Sequence, residues 1–191
     1  MPTIAVVYHS GFGHTEVLAH RVAGGAGSVG GCEGVVIKSA ELPDPDMSSG
    51  KAVYAGRWGE LDAADAIVFG TPTYMGTVSA EFKRFMDASS GAWFDQRWAN
   101  KLAAGFTTSG SPSGDKLNVL TTLAVFAGQH SMLWVPTGVH MEGEHNRLGS
   151  YLGLMAQSDN APASETPPES DRVTADRFGA NIANAALRWA G

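Results

Sequence analysis

The chain has 191 residues, 43% of them hydrophobic, which is enough to close one sizeable core and suits a single domain over residues 1–191. Its formal net charge of −6 comes with no cluster of Lys or Arg, which argues against a nucleic-acid partner, and no apolar run approaches the about 20 residues of a membrane span. A lone cysteine, Cys32, excludes an internal disulfide and a Cys-ligated zinc site and reads as a small buried apolar residue.

The amino terminus passes from Met1-Pro2 straight into an apolar run with no basic region or cleavage site, so a cytoplasmic protein is expected. That run, Thr3 to Tyr8, is the first of five predicted strands; the others are Gly34 to Lys38, Ala66 to Gly70, Leu102 to Thr107 and Met132 to Val135. They are apolar on both faces and separated by stretches long enough for helical crossovers, as in a parallel sheet covered on both sides. Thr15 is placed to cap a helix carrying Leu18, Val22 and Ala26, and Ser79 one carrying Phe82, Phe85 and Met86. Near the end, Thr166-Pro167-Pro168-Glu169 has the form of a capping box, followed by Val173, Phe178, Ile182, Ala185 and Trp189 at helical spacing. Ala40 to Gly56 and Thr137 to Glu165 show no apolar period and read as long loops. The fold class predicted is α/β, a doubly wound five-stranded parallel sheet with helices on both faces.

Three loops at successive strand ends carry the chemistry. The first, His9-Ser10-Gly11-Phe12-Gly13-His14-Thr15, leads into a helix whose free amides favour an anion, with the Ser10 and Thr15 hydroxyls as further donors. It lacks the third glycine of a dinucleotide fingerprint and any Gly-Lys-Ser/Thr, so a monophosphate fits best. The second loop, Gly70 to Ser79, turns at Gly and Pro and offers Tyr74 and Met75 to a flat aromatic ligand. The third, Thr107 to Gly114, is again small, hydroxylated and rich in donors. Ligands of doubly wound sheets bind where such loops meet. Ser113-Gly114-Asp115-Lys116 has the letters of a serine-acylase tetrad without its companion motifs. His9, His14, His20, His140 and His145 make no recognised zinc spacing, and no metal is expected.

In these loops and beyond them, the chain resembles the WrbA family of flavodoxin-like NAD(P)H:quinone oxidoreductases over nearly its whole length. The resemblance is carried by Val7 to Glu16, by Gly70 to Gly76 with Phe82 to Asp87 after it, by Trp93 to Lys101, by Thr108 to Ser111, and by Gln129 to Met132 ahead of Val135-Pro136. It implies non-covalent FMN, whose phosphate is held by Ser10, Gly11, Phe12, Gly13, His14 and Thr15. Pro72, Thr73, Tyr74, Met75, Gly76 and Thr77, with Thr108, Ser109, Gly110 and Ser111, would hold the ring and ribityl chain. His130 matches a family histidine near the ring, Trp93 a tryptophan that stacks a quinone or nicotinamide over the flavin face, and Phe12 a nicotinamide-contacting tyrosine. The chain departs from the family at Tyr74-Met75, where Arg-Phe is common, at Pro112 and Ser113, where a glycine run is usual, and in a shorter Val139 to Ser150 loop.

The expected activity is two-electron reduction of quinones by NAD(P)H through FMN, in a homodimer or homotetramer with small-molecule partners. An electron-transfer flavodoxin, or a binding module that has lost the flavin, are the alternatives.

Overall fold

In this computed structural model, which describes residues 1–190, strand β1 (Thr3–Tyr8) sends Ile4, Val6 and Tyr8 to one face of a sheet and Ala5 and Val7 to the other, all buried. That two-sided burial places β1 inside a parallel sheet. The remaining strands are β2 (Glu33–Lys38), β3 (Ala66–Tyr74), β4 (Thr77–Val78), β5 (Leu102–Ser109), β6 (Leu133–Trp134) and β7 (Leu154–Gln157). The order is β2-β1-β3-β5-β6, all parallel, with β4 antiparallel to β3 and β7 parallel to β5.

Helices α1 (His14–Gly27) and α6 (Glu169–Ala190) cover one face. The other is covered by α2 (Trp58–Ala63), α3 (Ala80–Ala88), α4 (Ser90–Phe94) and α5 (Lys116–Gln129). This is the expected flavodoxin-like doubly wound architecture.

The fifth strand position differs from the expectation. Leu133–Trp134 pairs only with the start of β5, Leu102 and Ala103, while Leu154–Gln157 pairs with its end, Phe106 to Ser109. One edge position is thus filled by two short strands, and Thr137 to Glu165 is not loop throughout. The second glycine loop is also reassigned: β3 runs on through Gly70-Thr71-Pro72-Thr73 to Tyr74, and the reversal falls at Met75-Gly76. Both residues of that two-residue turn have positive φ, 49° and 77°, the pattern of a type I′ hairpin.

Caps divide in the same way. Ser79 caps α3 as expected, its hydroxyl accepting from the Phe82 amide at 3.2 Å. At α1 the capping position belongs to Gly13, with φ 89°, and Thr15 is buried in the first turn. The box before α6 does not form: Pro168 offers its carbonyl to the Asp171 and Arg172 amides, and the Glu169 carboxylate pairs with Arg21.

The two faces pack by different means. On one, α1 and α6 touch backbone to backbone: a Cβ on Gly179 would lie 2.0 Å from the Val22 carbonyl oxygen, and one on Gly25 2.0 Å from that of Asp176. The other is aromatic, with Trp58, Phe69, Phe82, Phe85, Trp98 and Phe126 buried together.

His130 belongs to this aromatic core. Its ring lies 4.4 Å from that of Trp98 and 4.9 Å from that of Phe126, centre to centre. The Ser89 hydroxyl donates to the Met86 carbonyl at 2.7 Å, so it accepts from His130 Nε2 at 2.9 Å, which fixes the Nε2–H tautomer. Nδ1 is buried without a partner, and desolvation lowers the imidazole pKa to about 4.

Two outcomes follow. Gly179→Ala is expected to force the helices apart and lower stability by about 1–3 kcal/mol, read as a lower urea midpoint; an unchanged midpoint contradicts the backbone contact. Because the unfolded chain protonates His130 near pH 6.5 and the folded chain only near 4, its contribution is complete above pH 6.5 and is lost as pH falls through that window. The loss is on the order of 3 kcal/mol, and His130→Gln should flatten the acid limb of the stability profile; parallel limbs would refute the assignment.

Candidate functional site

Parallel register brings the functional loops together. Tyr8 pairs with Gly70, Gly70 with Phe106, and Thr108 with Ala156, so the segments after β1, β3, β5 and β7 leave the carboxyl edge of the sheet side by side. They enclose a cleft of about 530 Å³, inside the roughly 300–1,000 Å³ usual for small-molecule sites. A Cβ on Gly70 would meet the Phe106 ring at 2.1 Å, so glycine is what lets β3 and β5 lie flush beneath it.

The first loop forms one end of the cleft. Ser10, Gly11, Phe12, His14 and Thr15 line the cleft. The first helical hydrogen bond of α1 runs from Val17 to the Gly13 carbonyl at 3.0 Å, which leaves the amides of His14, Thr15 and Glu16 without helical partners. Gly13 does not line the cleft itself but makes the turn, its amide donating to Ser10 Oγ at 3.0 Å. Gly13 admits no larger residue, since its φ is 89° and a Cβ would sit 2.9 Å from that of Ala163; at Gly11 a Cβ would lie 2.5 Å from the Tyr74 hydroxyl, which would have to move. The lining includes no lysine or arginine and one carboxylate, Asp159; the donors at this end are the helix amides, with their dipole, and the Ser10 and Thr15 hydroxyls.

Of the second segment, Pro72, Thr73 and Tyr74 line the cleft. The Thr71 hydroxyl accepts from the Ser79 amide at 3.1 Å, and Thr73 Oγ1 lies 2.8 Å from Thr107 Oγ1, tying this wall to its neighbour. Burial and nearby Glu81 raise the Tyr74 pKa, keeping its phenol protonated. Met75, Gly76 and Thr77 are outside the cleft. They form the tip of the hairpin, held to α5 by Asn118 Nδ2 donating to the Gly76 carbonyl at 2.9 Å, and Met75 is fully exposed. The reason is the period of β3: strand continues to Tyr74, and the turn carries the next residues away.

Thr108, Ser109 and Gly110 form the third wall, whereas Ser111 only turns the chain, its carbonyl accepting from Ser109 Oγ at 2.9 Å. Behind them lies the lysine of the Ser113-Gly114-Asp115-Lys116 tetrad. Lys116 is wholly buried, and its ammonium donates to Ser109 Oγ at 2.8 Å, the Ser111 carbonyl at 2.8 Å and the Pro112 carbonyl at 2.9 Å.

A fourth segment, Ser158 to Pro162, was not anticipated and closes the cleft. Ser158 Oγ lies 2.9 Å from Thr108 Oγ1, and His14 Nε2 donates to the Ala161 carbonyl at 2.9 Å across the first loop. Its signal was present, a small polar run after Leu154-Met155-Ala156, the same grammar as the other three. It went unread because the strand before it did.

His130 and Trp93 do not join the cleft within one chain. His130 follows the carboxyl end of α5 beside Ser131, whose carbonyl accepts from Asn100 just before β5 begins. The cleft is at the far end of that eight-residue strand, about 23 Å away at 3.3 Å per residue. Trp93 is on α4 at the same end: its carbonyl accepts from Gln96 Nε2, and Gln96 Oε1 accepts from Ser131.

Over residues 5–146 the chain matches the family described as NADPH-dependent FMN reductase. It is 36% identical over 190 residues to Flavodoxin FldP of Pseudomonas aeruginosa (strain UCBPP-PA14), covering 96% of each chain. Among solved structures it is similar to the flavodoxin, WrbA-like protein from Agrobacterium tumefaciens, with a TM-score of 0.74, 40% identity, and coverage of 98% of this chain and 99% of that one. Oxidised Flavodoxin 1 from Bacillus cereus shares the fold at a TM-score of 0.61 and 18% identity, covering 96% of this chain and 98% of that one. A cleft at the start of α1 with hydroxyl-rich walls, on this sheet order and with these likenesses, leads to one assignment: the chain belongs to the NADPH-dependent FMN reductase family and has the flavodoxin-like fold.

Proposed function

We propose that the chain binds FMN non-covalently in this cleft and uses it to pass two electrons from NAD(P)H to a quinone. One observation carries the reading: His14 and Thr15, whose amides open α1 without helical partners, line the cleft, and the turn that delivers them requires glycine at position 13. FMN fits that donor set, its phosphate on the amides of the 10–15 turn and its ring between the 72–74 and 108–110 walls. When bound, it supplies the hydride and electron chemistry.

The protein's share is then orientation and access. Thr73, Thr107, Thr108 and Ser158 lock the walls to one another through hydroxyl pairs, so the cleft is preformed. Phe12, 78% exposed on the first loop, and the partly exposed Tyr74 offer aromatic faces to a flat substrate at the lip. A single open lip makes nicotinamide and quinone alternate there. Trp93 serves as a stacking residue only if supplied by a second copy of the chain. Exposed Trp93 and Phe94 on one short helix suit such self-association, which forms part of the proposal.

A second reading is favoured by the 36% identity to a protein named flavodoxin: single-electron exchange with protein partners. Anaerobic titration separates the two, because a carrier accumulates one-electron reduced flavin and a two-electron enzyme does not.

Purified protein is expected to quench FMN fluorescence and, once loaded, to oxidise NAD(P)H in the presence of benzoquinone with parallel initial-rate lines. Convergent lines would exclude alternation at one lip, and no turnover with either nucleotide would exclude the enzyme reading. Gly13→Ala, which places a side chain at φ 89° and against Ala163, should weaken FMN about tenfold, roughly 1.4 kcal/mol. Unchanged affinity would remove the first turn from the site.

A further inference from the structure

Lys116 is a buried cation bonded to no carboxylate. Its three hydrogen bonds all go to the segment Ser109 to Pro112, the last residue of β5 and the turn after it, and Ser109 is part of the cleft wall. Burying an ammonium is costly unless its donors are satisfied, and here one loop satisfies all of them. The charges that act on it come from two elements: Asp171 on α6 and Arg147 in the segment between β6 and β7, of opposite sign. Asp171 is already committed, its carboxylate accepting from Arg147 Nε at 2.7 Å, Arg147 Nη2 at 2.9 Å and the Gln157 amide at 2.8 Å. The pair therefore supports the fourth segment from behind, while Lys116 supports the third. Desolvation lowers the Lys116 pKa to about 8.

We propose that Lys116 is a positioning residue for the flavin: its ammonium clamps Ser109 to Pro112 in the shape that receives the ring and sets a positive charge one hydroxyl behind the wall. The proposal rests on the FMN reading above. In a cleft lined by no lysine or arginine, this charge favours FMN, and more strongly the reduced flavin, which on taking two electrons and one proton gains a negative charge. The serine-acylase reading of the same tetrad has no support, since the Lys116 donors are spent on loop carbonyls and on Ser109 rather than on Ser113.

The test compares the wild-type chain, Lys116→Met and Lys116→Arg in FMN titrations of the apoprotein and in midpoint potentials of the loaded protein. Lys116→Met is expected to bind FMN at least tenfold more weakly and to lose tenfold in preference for reduced over oxidised flavin, about 30 mV toward negative potential for two electrons. Lys116→Arg keeps the charge and should hold the potential while losing affinity, because a planar fork does not direct three donors into one loop. A merely structural lysine would leave the potential alone. Affinity within twofold and an unchanged potential in Lys116→Met overturn the proposal. A wild-type chain that binds no FMN overturns the functional reading and the proposal with it.

If Lys116→Met does not fold, the pH series decides. Wild-type FMN affinity should fall as pH rises through about 8, and the Lys116→Arg profile should stay flat there. Over the same range the Lys116 contribution to apoprotein stability rises with pH, because the unfolded chain holds that proton to higher pH than the folded one. Parallel affinity profiles for the two proteins overturn the proposal.

Discussion

A helix that starts at the carboxyl edge of a parallel sheet presents amides with no backbone acceptor, and the α1 terminus does so at the floor of a cleft. Everything around it accommodates that fact. Gly13 takes a left-handed conformation so that the chain can enter the helix directly from β1. Gly11 clears room for the Tyr74 hydroxyl, and the 158–162 segment is fastened over the loop through His14. No lysine or arginine lines the site, so the anion binding proposed for it would rest on backbone geometry.

Geometry of that kind needs rigid support, and the molecule provides it from both sides of the sheet. The glycine-mediated contact of α1 with α6 fixes the direction of the helix that carries the amides. The aromatic face holds β3 and β5, from which two walls emerge. The walls are joined by hydroxyl pairs and backed by charge, buried Lys116 behind one and buried Asp171, paired with the more exposed Arg147, behind the next. Stability and site geometry are therefore coupled through a small number of identifiable contacts.

How far the letters revealed this depends on local signal strength. Thr3–Tyr8 and Leu102–Thr107 could be read because strands buried on both faces are uninterrupted apolar runs. β7 could not: Leu-Met-Ala-Gln is short, has no β-branched residue and sits among glycines and serines. Losing it hid the 158–162 wall. α5 was not singled out because Leu117 and Val125 are exposed on its outer side, which blurs the apolar stripe. Gly70-Thr71-Pro72-Thr73 looked like a turn, yet tertiary pairing with β5 kept it extended, and Met75 followed the hairpin out to solvent. Lys116 offered no signal as a single letter, since the bonds that give it meaning depend on the shape of a loop. His130 and Trp93 came from family likeness, and a single chain places both at the opposite end of the sheet from the cleft.

The central claim is that the backbone at the start of α1 grips a phosphate, and riboflavin, which differs from FMN only by that phosphate, tests it without altering the protein. FMN is expected to bind at least a hundredfold more tightly, about 2.7 kcal/mol, with amide resonances of Gly11 to Glu16 moving on addition of FMN and staying in place with riboflavin. Equal affinity for the two flavins, or FMN binding that leaves those amides undisturbed, would contradict it.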